Sequence, residues 1–177
     1  VAGKITQLEQ LRHLVRNRVQ CLALGYKELF DALTEGLVDD HKDIAVKQLI
    51  GHEGFKSRPY KCTNNKWTIG FGINLETESI PYEVALFWLE YKVEETDNIL
   101  SGKLIFYSGL TDNRKSVLIN MAFNLGINGL LNFRKTLKLI EQGNFLDASK
   151  EMLDSQWARE DVGNERSNEL SELMKKG

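Results

Sequence analysis

Proline is scarce: Pro59 and Pro81 are the only two in 177 residues, so helical segments meet few interruptions. The two cysteines, Cys21 and Cys62, allow one disulfide at most. Neither has metal-ligand spacing with His13, His41 or His52, so the sequence supports no zinc site, and no motif asks for a cofactor. Apolar runs are short, and none approaches the ~18 residues that span a bilayer. The most apolar early stretch, "VQCLALGY", is closely bracketed by Arg16, Arg18, Lys27 and Glu28 and has neither that length nor the shape of an intact secretory signal. Excess charge is missing too. A formal net charge of -2, with no basic patch interleaved with aromatics, gives no electrostatic case for binding nucleic acid. The chain starts at Val1 rather than methionine, which reads as a processed or excised product.

What is present is ordinary for a globular protein: 42% hydrophobic and 27% charged residues. The length suits one domain with a substantial core, or one domain plus an appendage. From Ile5 to Leu37, Leu8, Leu11, Val15, Val19, Leu22, Tyr26, Leu29, Phe30 and Leu33 recur at three- and four-residue steps. That spacing predicts an amphipathic helix, broken near Gly25. "DDHKD", residues 39–43, offers a cap for a following helix with Ile44, Val46, Leu49 and Ile50 on its apolar face. Between Lys56 and Asn74 the texture changes to short β-branched and aromatic segments around "CTNNK", which predicts a hairpin or a three-stranded sheet. Helical spacing returns after Glu76. Ser79 is a candidate cap, Pro81 falls in the first turn, and a stripe runs through Val84, Leu86 to Leu89, Val93 and Leu100. The remainder reads as successive short helices punctuated by Gly126, Gly129, Gly143 and Gly163. The expected class is α+β.

One stretch carries chemistry. In "HEGFKSRPYKCTNNKWTIGFG", Glu53 precedes Cys62 by nine positions and Thr68 follows six later, ahead of a Gly-x-Gly turn. Two carboxylates at such a distance would suggest glycosidic cleavage, yet the second position holds a thiol. Read singly, Glu53 fits a solvent-facing residue at a helix end, Cys62 can be a small residue in a turn, and Thr68 a β-branched strand residue.

The surrounding letters resemble the phage T4-type lysozyme family. Its pattern is a catalytic glutamate, an aspartate or cysteine, then a threonine, filled here by Glu53, Cys62 and Thr68 with "YK" at Tyr60 and Lys61 and "TIGFG" from Thr68. A second match is "LINMAFNLGINGLLNFRKTL", with Asn120, Phe123, Gly126, Gly129 and Phe133 in place. Ala148, Ser155, Trp157 and Arg166 continue it. The resemblance covers residues 43–177 and leaves 1–42 as a helical extension outside it.

The resemblance implies a two-lobed lysozyme-like fold, with a small β-sheet lobe and a helical C-terminal lobe joined by a long helix. The implied activity is that of a muramidase cutting peptidoglycan between N-acetylmuramic acid and N-acetylglucosamine. Glu53 takes the acid's position, Cys62 that of the family's aspartate or cysteine, and Thr68 that of a water-orienting threonine. Arg166 matches an arginine that pairs with the glutamate, and Asn74, Phe123 and Thr136 fall on sugar-contacting positions, Phe123 being equally a core candidate. Ile73 stands where a relative carries histidine, so an ion pair made there is absent. Some secreted relatives lock the catalytic cysteine in a disulfide, which a Cys21–Cys62 bond would imitate; a packed free thiol is the alternative. The extension would pack on the domain, link it to a larger virion protein, or mediate self-association. The implied setting is phage-encoded action on the host wall, virion-associated or released. A lytic transglycosylase and a non-catalytic wall-binding or particle module stay open as alternatives.

Overall fold

The computed structural model describes residues 41–177. The expectations for the N-terminal extension, including the helix over Ile5 to Leu37 and any Cys21–Cys62 bond, lie outside the described residues. The order is helix α1 (His41–Glu53), strands β1 (Lys56–Lys61), β2 (Trp67–Gly70) and β3 (Ile73–Asn74), then helix α2 (Tyr82–Lys103). A 3-10 turn (Tyr107–Gly109) leads to α3 (Asp112–Leu131), α4 (Arg134–Glu141) and α5 (Phe145–Leu153), followed by a π turn (Trp157–Asp161) and α6 (Asn164–Lys176). This is an α+β, lysozyme-like fold, as the resemblance implied.

The chain divides into two compact units between Phe87 and Trp88, a boundary that falls within α2. In the first unit β1, β2 and β3 form an antiparallel sheet in that order. Tyr60 faces Thr68 and Lys61 faces Trp67, while Thr68 on its other side faces Asn74. The ladder slips between Lys56 and Tyr60, and Pro59, which has no N–H to give, sits within that irregular stretch. The β1–β2 loop closes as a short hairpin. The Cys62 N–H donates to the Lys66 carbonyl at 3.0 Å and the Asn65 N–H to the Cys62 carbonyl at 2.9 Å. Asn65 takes the left-handed position such three-residue loops require, with φ 58°.

The second unit holds the core. Leu100, Val117, Leu118, Met121, Leu130, Ile140, Met152, Trp157 and Met174 are buried from α2 through α6. α3 opens on Thr111, whose hydroxyl caps the Arg114 N–H. The expected glycine punctuation holds at Gly126, whose φ of 72° and ψ of 162° break α3 into two helical stretches, and not at Gly129, which lies inside the second stretch. The α2 stripe is largely exposed at Val84, Trp88, Leu89 and Val93, because the core reaches this helix only at Thr96 and Leu100. Pro81 precedes the first turn of α2 rather than lying in it, its carbonyl accepting from the Ala85 N–H.

Candidate active site

Glu53 is the last residue of α1. The helix ends because Gly54 adopts φ 65°, the left-handed conformation that stops a helix without a Cβ penalty. The Phe55 ring then packs on Phe71, centroids 5.3 Å apart, bringing the helix end to the β2–β3 turn. The consequence is a close approach at Gly72, where a Cβ would stand 2.7 Å from the Glu53 Oε2. Gly72 also has φ 79°, so the backbone favours glycine under this carboxylate, while the exposed Glu53 side chain would have to swing aside for a Cβ. Glu53 itself is exposed.

Cys62 and Thr68 are tied together by one backbone atom. The Lys66 carbonyl accepts from the Cys62 N–H at 3.0 Å and from the Thr68 hydroxyl at 3.1 Å. Thr68 is the only buried side chain among the described residues of the first unit, at 4% exposure, and Cys62 is partly buried. The thiol is a free one. Its pKa is lowered, chiefly by the Lys66 N–H and then the Asn64 N–H, with the Thr68 hydroxyl assisting and partial burial opposing. The single hydroxyl proton of Thr68 serves the Lys66 carbonyl or the sulfur, one at a time. The loop therefore presents a thiol biased towards thiolate beside a hydroxyl.

Asn74 faces Thr68 across the sheet and accepts the Glu76 N–H on its side-chain oxygen at 2.9 Å. The second unit carries the other expected residues. Arg166 on α6 directs Nε and Nη2 onto the Asn120 Oδ1 at 3.1 and 2.6 Å. One turn along α3, the Asn124 Oδ1 takes the Trp157 Nε1 proton at 3.1 Å. Phe123 is 54% exposed and hence no core residue, whereas Thr136 is buried at 2%. Among the described residues no cluster of His, Cys, Asp or Glu side chains is arranged to hold a metal ion. Sequence reading did not find the paired captures by Asn120 and Asn124. Their only signal was spacing four residues apart on one helix face.

Residues 50–175 match the family model described as Phage lysozyme. The chain belongs to the phage lysozyme family. It is 29% identical over 164 residues to Probable T4-type lysozyme 1 of Dictyostelium discoideum, covering 75% of this chain and 95% of that protein. Probable T4-type lysozyme 2 of the same organism is 28% identical over 164 residues with the same coverage, 75% and 95%. An Endolysin of Acyrthosiphon pisum secondary endosymbiont phage 1 is 24% identical over 120 residues, 66% of this chain and 78% of that protein. At this level the chain is a lysozyme-type glycoside hydrolase acting on peptidoglycan. Glu53, Cys62, Thr68, Asn74, Phe123, Thr136 and Arg166 all lie inside the matched span.

Proposed function

We propose that the chain is a muramidase that cleaves the β-1,4 bond between N-acetylmuramic acid and N-acetylglucosamine, with Glu53 as general acid and Cys62 as nucleophile. The observation that carries this reading is the Cys62 thiol, free, lowered in pKa by loop N–H groups and linked to Thr68 through the Lys66 carbonyl. Glu53 gives its proton to the departing glycosidic oxygen as the Cys62 thiolate bonds to the anomeric carbon. Glu53, now a carboxylate, then takes a proton from water, whose oxygen displaces sulfur and restores the thiolate. Thr68 orients that water. Two displacements retain the anomeric configuration. Arg166, which grips Asn120, takes the supporting position that the family pattern implies, and Asn74, the exposed Phe123 and the buried Thr136 take the positions that it assigns to sugar contact. The endolysin among the relatives supports a phage-encoded protein acting on the host cell wall, virion-bound or released.

Digestion of purified sacculi followed by muropeptide mass spectrometry tests the proposal. The parent is expected to release products with reducing muramic acid ends, and both Glu53→Gln and Cys62→Ser to lose most of that release. Anhydro-muropeptides from the parent would select a lytic transglycosylase instead. No digestion by reduced or oxidised parent would leave a wall-binding module.

A further inference from the structure

The loop that carries Cys62 is held from outside by Glu76, which is not one of the three positions Glu53, Cys62 and Thr68. The Glu76 Oε2 accepts from the Lys66 Nζ at 2.8 Å, and its Oε1 accepts from the Trp67 N–H at 3.1 Å. The Lys61 Nζ lies 3.6 Å from the same Oε1 and donates to the Asn65 carbonyl at 3.0 Å. One carboxylate thus reaches the residue before Cys62 and the two residues leading into Thr68.

Chain geometry explains why a side chain is needed there. β3 ends at Asn74, and the Leu75 N–H still donates to the Trp67 carbonyl at 2.8 Å. A longer β3 would return the second bond from a backbone carbonyl to the Trp67 N–H. The Glu76 carboxylate occupies that acceptor role. It is aimed by the Asn74 side chain, which holds the Glu76 N–H at 2.9 Å and turns the chain back on the strand. Each ion pair alone would contribute little, since these side chains are a third to a half exposed. The bond to a strand N–H and the shared carboxylate make them one fixture.

We propose that Glu76 is a positioning residue: its carboxylate fixes the Cys62–Lys66 loop so that the Lys66 N–H and carbonyl address the Cys62 sulfur and the Thr68 hydroxyl. This rests on Cys62 and Thr68 being the reacting pair. Two facts fit. Glu76 is itself held ionised, its pKa lowered to about 2 chiefly by the Lys66 hydrogen bond and then the Trp67 N–H. The largest influence lowering the Cys62 pKa comes from the Lys66 N–H, the backbone of the residue Glu76 grips.

The sign of the effect separates positioning from simple charge. Removing an anion near a thiol lowers the thiol pKa by electrostatics alone, whereas loosening the N–H donors raises it. The test is the pH profile of Cys62 alkylation by iodoacetamide, read by peptide mass spectrometry in a Cys21→Ser background. Glu76→Ala is expected to move the midpoint up by about half a pH unit or more, towards the free-cysteine value. Glu76→Gln keeps an oxygen for the Trp67 N–H and is expected to move it up less. Melting is expected to stay at the parent temperature, because the buried core of the described residues lies in the other unit. On sacculi, kcat is expected to fall several-fold for Glu76→Ala with KM little changed, and Glu76→Gln to restore part of it. A midpoint that stays or moves down in Glu76→Ala overturns the proposal. Should that variant not fold, Glu76→Gln together with Lys66→Met reads the same midpoint, and an unmoved value in both overturns it equally. If the midpoint rises but the parent never cuts sacculi, the muramidase reading fails while the positioning role stands.

Discussion

The two units are built on opposite terms. Beyond Phe87, helices pack Leu100, Leu118, Met121, Met152, Trp157 and Met174 out of water. Before it, Thr68 alone is buried among the described residues, while Phe55, Trp67, Phe71 and Ile73 stay about half exposed. The first unit is shaped by backbone instead: left-handed conformations at Gly54, Asn65, Gly70 and Gly72, the Cys62–Lys66 loop bonds and the Glu76 fixture. Packing gives stability in bulk and hides side chains, whereas turns place side chains at an open surface at the cost of local stability. The residues proposed to react fall in the unit whose described residues form turns and no core. Among the described residues, the second unit supplies the buried core that resists unfolding.

Changes confined to one unit should therefore separate activity from stability. The largest expected effect is Glu53→Gln, which should reduce sacculus hydrolysis by roughly 10²–10⁴-fold, the usual contribution of a general acid, at an unchanged melting temperature. A matched loss of stability would break the comparison. Trp157→Ala should do the reverse. It empties a site 1% exposed and removes the donor to Asn124 and the edge-on contact with Phe133, so chemical denaturation should show a loss of about 3–5 kcal/mol. Activity per folded molecule should persist. Asn120→Ala leaves the Arg166 fork without its acceptor and should cost about 1–3 kcal/mol by the same measurement.

Smaller effects sharpen the contrast. In a Cys21→Ser background, Cys62 alkylation should rise with pH at a midpoint below the ~8.5 of a free cysteine. The lowered folded-state pKa means ionisation favours the folded hairpin above the unfolded thiol's pKa, and this preference fades as pH falls through the folded value. A midpoint at or above the free value would mean that the loop N–H groups do not reach the sulfur. Smallest of all, Glu172→Gln removes the exposed pairs with Lys175 and Lys176 and should leave melting unchanged.

Much of the first unit was legible because its shape is local. "CTNNK" announced the hairpin, since turn chemistry acts over a few residues, while Glu53, Cys62 and Thr68 stood out as candidates only through the family resemblance of the letters around them. Glycine punctuation was legible at Gly126, where φ 72° and ψ 162° interrupt α3, and misled at Gly129, where the surrounding helical turns outweigh the local preference to break. The helix and apolar stripe of α2 were legible but the stripe's exposure was not, because periodicity shows that a face is apolar and not what covers it.

By itself the sequence determined the α+β class and the order of elements among the described residues, which are properties of short spacings, and two separate motifs pointed to the family and to the glutamate, thiol and threonine. Only the tertiary structure decided that Arg166 and Trp157 rest on Asn120 and Asn124, that Phe123 faces outward while Thr136 is enclosed, and that Glu76 stands in for a missing strand carbonyl. The physical reason is range. Asn120 and Arg166 are 46 positions apart, and a hydrogen bond between two such residues has no period or turn signature until packing brings the helices together.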